Sequence, residues 1–144
     1  RIKNRIIFTP HIREFEALSH QKVIKDDIES KIQLAKETSR KLRAIILLKG
    51  PTDIITDGNQ TVLNKTGSPY MTSGGTGDVL AGIVGSLAAQ LHARGDHDYF
   101  KAAAAGAYIS GKAGELAAQK YKDSLIATDV INELAGVIAT KRSA

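Results

Sequence analysis

The chain has 144 residues, 42% apolar and 24% charged, with a formal net charge of +5. That is one ordinary domain with material for a core, and a positive balance that suits anionic ligands yet is too modest to argue nucleic acid, with no Trp and few other aromatic rings to stack bases. The absence of cysteine removes disulfides, thiolate catalysis and cysteine-held zinc, and no apolar run approaches the ~20 residues of a bilayer span.

Arg5 to Thr9 is a short apolar run closed by Pro10, which predicts a buried strand. Ile12 to Leu18 predicts a short helix. Asp26 or Asp27 is placed to cap a longer one running to about Arg43, with Ile24, Ile28, Ile32, Ala35 and Leu42 near one face. On that helix Lys36, Arg40, Lys41 and Arg43 read as a solvated face rather than a binding patch. Ala44 to Leu48 is a continuous apolar run, as expected of a strand covered on both sides, and Lys49-Gly50-Pro51 breaks it. Asp53 to Thr56 and Gln60 to Leu63 flank Asp57-Gly58-Asn59, a hairpin signal.

Segment 64–82, NKTGSPYMTSGGTGDVLAG, is the most informative stretch. Glycines let backbone amides approach a ligand that a side chain would block. The helix that follows opens with unpaired N–H groups and the positive end of its dipole, which together seat a phosphate. Asp78 at that junction would repel a phosphate unless it works beside one, and the work it suits is taking a proton from an attacking hydroxyl. The plainer alternative is a glycine turn that caps a helix. The loop is not a Walker A sequence, since no lysine follows its last glycine, and not GxGxxG, since Leu80 stands in the third glycine's place.

Val79, Leu80, Ile83, Val84, Leu87, Ala88 and Leu91 predict a helix ending near Gly95. Ala81, Gly82, Gly85 and Ser86 keep its other side thin, so close packing is expected there. A second long helix is predicted over Tyr99 to Tyr121, where Gly106, Ser110 and Gly114 admit a neighbouring helix. Thr128 precedes a last helix with Val130, Ile131, Leu134 and Ile138 on its buried side. Strand, helix, strand, hairpin, loop and helices make an α/β layered domain.

His11 and Glu14 follow the first strand and Lys49 ends the second, so all three fall at the carboxyl ends where open parallel sheets bind ligands. A capping turn and a solvated lysine are the plainer readings. Asp53, Thr56 and Asp57 have turn roles to fill, and Asn64 and Thr66 either read a nucleotide or shape the loop. Ser68 and Ser73 lack a histidine at a recognisable spacing, which argues against a serine hydrolase. HExxH is absent, and His20, His92 and His97 have no ligand spacing, so no protein-held metal is expected.

Three pieces in this order, TPHIREFEAL (9–18), LLKGPTDIITDG (47–58) and NKTGSPYMTSGGTGDVLAG (64–82), resemble the ribokinase-like superfamily. Within it they most resemble the ADP- or ATP-dependent NAD(P)H-hydrate dehydratases. The resemblance implies a layered α/β/α fold with a mostly parallel central sheet, of which residues 1–144 are the C-terminal portion of a single domain. The N-terminal part would come from residues outside this sequence, which begins at Arg1, or from another chain. It further implies a repair reaction in which hydrated NAD(P)H is phosphorylated on its stray ring hydroxyl by ADP or ATP with Mg²⁺, and phosphate then leaves.

Carried over by position, Asp78 is the base, and Gly75, Thr76 and Gly77 form the anion hole. Lys49, Gly50, Pro51, Thr52 and Asp53 hold the nucleotide together with Asn64, Thr66, Gly67, Ser68 and Gly74 to Gly77. His11, Ile12, Arg13, Glu14, Phe15 and Asp78 line the substrate side. Arg13 departs from the glycine of many bacterial members. A homo-oligomer located in the cytoplasm, without nucleic-acid or membrane partners, is the accompanying expectation. A superfamily kinase of a thiazole or pyrimidine alcohol, and a non-catalytic nucleotide-binding module, are the alternative readings.

Overall fold

The computed structural model describes residues 6–24 and 27–142, without the side chains of 140–142. The order is β1 (Ile7–Phe8), α1 (Ile12–Ser19), α2 (Ile28–Leu42), β2 (Ile45–Leu48), β3 (Asp53–Thr56), β4 (Thr61–Asn64), α3 (Thr76–Ala93), α4 (Tyr99–Tyr121) and α5 (Ala127–Arg142). Short 3-10 turns lie at Pro69–Thr72 and Lys122–Ser124.

The two helices on the first face start on side-chain caps. In α1 the Glu14 N–H donates to His11 Nδ1 at 3.2 Å, and the His11 N–H donates to Glu14 Oε2 at 2.7 Å, a reciprocal capping box. In α2 the Ser30 N–H donates to Asp27 Oδ1 at 3.0 Å. Asp27 is therefore the cap, while Asp26 lies outside the described residues, as does Arg5 at the start of the predicted first strand. Ile24 precedes the helix and is 63% exposed, so it does not join the buried face expected of it.

The sheet runs β1-β2-β3-β4. β1 and β2 pair in parallel; β2 with β3, and β3 with β4, pair antiparallel. The mostly parallel sheet expected above is thus met only at β1/β2 among the described strands. The cause is connection length: the few residues from Leu48 to Asp53 turn the chain back on itself, whereas a parallel partner needs a crossover such as α1–α2.

Alternation along β2 and β3 builds the layers. Ile45, Leu47 and Ile55 face Leu80, Val84, Ala103 and Ala107 of α3 and α4. Ile46, Leu48 and Ile54 face Phe15 and Ala35 of α1 and α2. All four β2 residues are buried, which is why they read as one unbroken apolar run. A third cluster joins α4 to α5 through Ala113, Ala117, Leu125, Val130 and Val137.

Two predicted faces differ. Ile131 and Ile138 are 49% and 43% exposed, because the inward positions of α5 are Val130, Leu134 and Val137 and the next residue points about 100° away. On α3 the thin side is exposed, and a Cβ added at Gly82 or Gly85 would meet nothing within 4 Å. The close approach is on the opposite side, where a Cβ on Gly106 would come within 2.5 Å of Val84 Cγ2.

Candidate active site

A cleft of about 740 Å³ opens between the carboxyl ends of β1 and β2, the loop from Thr66 to Thr72, the start of α3 and the middle of α4. The Lys49 N–H donates to Pro10 O at 2.9 Å, which ties the two strand ends together and sets His11 beside Lys49. Lys49 Nζ lies 4.0 Å from Glu14 Oε2. The His11 amide is the main influence that holds the Glu14 carboxyl below its usual range; slight burial opposes it, and the charges of His11 and Lys49 assist.

Gly75 is the residue before α3, and its φ of +91° lies in the left-handed region that glycine favours. Its carbonyl accepts from the Asp78 and Val79 N–H groups, each at 3.0 Å. The Thr76 and Gly77 amides belong to the helix's first turn and have no intrahelical acceptor. The Thr76 hydroxyl turns back on the loop, toward Met71 O (2.8 Å) and Ser73 O (3.0 Å). A Cβ on Gly77 would stand 3.1 Å from Lys49 Nζ, so the ammonium and the helix's positive end share one place. The Ser73 hydroxyl is buried in the same loop and has no partner among the described residues.

A polar chain links the two walls. The Gly50 N–H donates to Asp53 Oδ1 (3.0 Å) and Asn64 Nδ2 to Asp53 Oδ2 (2.9 Å). Thr66 Oγ1 donates to Asn64 Oδ1 (2.8 Å) and also lies 3.3 Å from Tyr108 O. Burial pushes the Asp53 carboxyl above its usual range, more than Asn64, the Gly50 amide and Lys49 pull it down.

Of the residues singled out in the sequence, His11, Lys49, Gly50, Pro51 and Asp53 line the cleft from the strand side. Thr66, Gly67, Ser68, Thr76 and Gly77 line it from the loop and α3. Ile12 and Thr52 line a separate recess of about 160 Å³ behind Lys49. Asn64 is buried and holds Asp53 and Thr66 rather than the cleft itself. Gly74 and Gly75 shape the turn without lining the wall, and Arg13 and Glu14 are exposed outside it.

Phe15, expected on the substrate side, is wholly buried against Ile46, Leu48 and Ile54. Its side chain follows the inward face of α1, so it serves packing. Asp78 is exposed on the first turn of α3, between the lining residues Gly77 and Leu80, and stands beside the cleft rather than in its wall.

The loop from Thr66 to Gly77, expected to hold the nucleotide, also brings Met71 and Thr72 to the cleft, but sequence reasoning missed Leu80 and above all Ala107, Ser110 and Gly111 of α4. The signal was the small-residue spacing on α4, read there as room for another helix. Only at Gly106 is the neighbour a helix; at Gly111 and Gly114 it is the loop carrying Thr66 and Met71.

A three-layer α/β/α body with a glycine turn opening a long helix at the strand ends defines a ribokinase-like fold. A ribokinase-like superfamily protein of Enterococcus faecalis matches it with a TM-score of 0.76 at 25% identity, over 99% of this chain and 46% of that one. The family model described as NAD(P)H-hydrate dehydratase matches residues 1–135, and the chain belongs to that family.

The ADP-dependent (S)-NAD(P)H-hydrate dehydratase of Cenarchaeum symbiosum is 40% identical over 136 residues, 94% of this chain and 45% of that protein. A bifunctional NAD(P)H-hydrate repair enzyme of Hyperthermus butylicus is 41% identical over 132 residues, 90% of this chain and 24% of that protein. The crystal structure of the ADP/ATP-dependent NAD(P)H-hydrate dehydratase from Bacillus subtilis, co-crystallised with ATP and Mg²⁺, gives a TM-score of 0.80 at 27% identity, over 93% of this chain and 47% of that one. The chain therefore spans half or less of the length of these relatives.

Proposed function

We propose that this chain forms the nucleotide-binding and catalytic side of a nucleotide-dependent (S)-NAD(P)H-hydrate dehydratase, the C-terminal portion of a single ribokinase-like domain. The observation that carries the reading is the convergence of Lys49 Nζ with the first turn of α3 at Gly77, on the edge of a cleft of about 740 Å³. That volume lies within the range of small-molecule and cofactor sites. The unpartnered Ser73 hydroxyl also fits a loop that closes on a polar ligand.

A bound ADP or ATP supplies a phosphoryl group that converts a poor leaving group, the ring hydroxyl, into a good one. Lys49 and the Thr76 and Gly77 amides hold the phosphates. The Asp78 and Val79 amides are already committed to Gly75 O, so the anion seat is confined to the amides ahead of Asp78. The Asp78 carboxylate takes the hydroxyl proton, a contribution of typically ~10²–10⁴-fold. Among the described residues no three His, Asp or Glu side chains gather at one point, and Mg²⁺ is assigned to the nucleotide phosphates rather than to a protein cage. His11, exposed where it lines the cleft, is assigned to the substrate side, which a companion segment of the protein, or of a second copy, completes.

The test is full-length protein incubated with hydrated NADH or NADPH, Mg²⁺ and either ADP or ATP. Nucleotide-dependent recovery of the reduced-nicotinamide absorbance supports the reading. Phosphorylation of a thiazole or pyrimidine alcohol without that recovery would replace it with a kinase, and nucleotide binding without any turnover would leave a binding module.

A further inference from the structure

The far wall of the cleft is a loop, and one face of α4 holds it. The Tyr108 carbonyl lies 3.3 Å from Thr66 Oγ1. A Cβ on Gly111 would overlap Thr66, backbone included, and one on Gly114 would overlap the Met71 thioether. Just after the second of these close approaches, Glu115 reaches the loop: its Oε1 accepts from the Gly67 N–H at 3.1 Å, while its Oε2 accepts from Lys112 Nζ at 2.7 Å. Gly67 belongs to no strand or helix, and its φ of +126° suits glycine alone. Glu115 does not line the cleft, whereas Thr66, Gly67 and Ser68 do.

We propose that Glu115 is a positioning residue for the nucleotide cleft, fixing the Thr66–Ser68 wall through the Gly67 amide while Lys112 neutralises its charge. This rests on the reading of the cleft as a nucleotide site. A lone carboxylate behind that wall would repel phosphates, and the ion pair to Lys112 removes the penalty. Burial pushes the Glu115 carboxyl up, but the Lys112 hydrogen bond, the Gly67 amide and the Lys112 charge together hold it below its usual range. The carboxylate therefore stays ionised at neutral pH. This charge-assisted hydrogen bond adds to the Tyr108, Gly111 and Gly114 contacts that hold a loop without a ladder.

The experiment uses the full-length protein and ADP with Mg²⁺ as the probe. For Glu115→Ala, Kd and KM for ADP rise roughly tenfold, the loss expected for one hydrogen bond to a charged group, with kcat changed far less. Amide exchange in residues 65–72 speeds up. Glu115→Gln keeps an acceptor for Gly67 and recovers most of the affinity. Glu115→Asp keeps the charge but is one methylene shorter, and behaves like the alanine variant; it carries the test if Glu115→Ala does not fold. Unchanged ADP affinity in Glu115→Ala or Glu115→Asp overturns the proposal, as does a glutamine variant no better than alanine with both melting early. A wild-type protein that binds ADP but does not repair hydrated NADH sinks the dehydratase reading and leaves Glu115 testable; one that binds no nucleotide overturns both.

Discussion

Lys49 Nζ stands 3.1 Å from the point where a Cβ on Gly77 would project. Only a hydrogen separates the ammonium from the backbone of the first turn of α3. One strand end and one helix start, 28 residues apart in the sequence, thus place a full positive charge and the helix dipole at one spot.

Two substitutions test that pairing. Gly77→Ala forces the lysine tip aside, which a flexible side chain tolerates, so the protein folds with a near-native melting temperature while ADP binding weakens. Lys49→Met removes a charged hydrogen-bond donor worth about 1.5–3 kcal/mol, and nucleotide affinity measured by titration falls roughly tenfold to a hundredfold.

Asp78→Asn separates binding from chemistry. Asp78 lies beside the cleft and not in its wall, so nucleotide affinity holds, while turnover on hydrated NADH falls by ~10²–10⁴-fold. Unchanged turnover would remove Asp78 from the reaction.

Asn64→Ala leaves Asp53 Oδ2 without its amide donor and Thr66 without one acceptor. A cost of about 1–3 kcal/mol is expected from the denaturation midpoint. The pH dependence has a definite sign. Because burial raises the Asp53 carboxyl above its ordinary 3.8, the folded state binds the proton more tightly, and stability falls as pH rises from that value through the raised one. Asn64 supplies the largest downward influence, so its removal carries this loss of stability to higher pH.

Gly106→Ala places a methyl 2.5 Å from Val84 Cγ2 and 3.2 Å from Val84 Cα. Part of that clash is with backbone, so α3 and α4 must separate. Overpacking of this kind costs about 1–3 kcal/mol, read as a drop in melting temperature, and it pulls Leu80 and Ala107 away from the cleft they both line.

Much of the fold is local chemistry and is therefore written in the sequence. His11 with Glu14, and Asp27 with Ser30, are caps three residues apart. Ile45 to Leu48 is apolar throughout because both sheet faces are covered. Asp57-Gly58 turns the hairpin, with Asp57 Oδ1 accepting from the Asn59 and Gln60 amides at 2.9 and 3.0 Å. The glycine turn that opens α3, with Asp78 in its first turn, was legible for the same reason: its shape depends on residues within one turn of a helix.

What only the tertiary structure decided is which distant groups meet. Periodicity cannot say that Phe15 turns into the core while His11, one turn earlier, faces the cleft. Nor can it say that Ile131 and Ile138 face outward while Val137 packs. It gave α4 no place at the cleft, because a small residue that admits a helix and one that admits a loop look alike in one dimension. Gly67 and Glu115 are 48 positions apart, and no local rule couples them. That contact exists because α4 packs across the sheet and brings its polar edge under the loop.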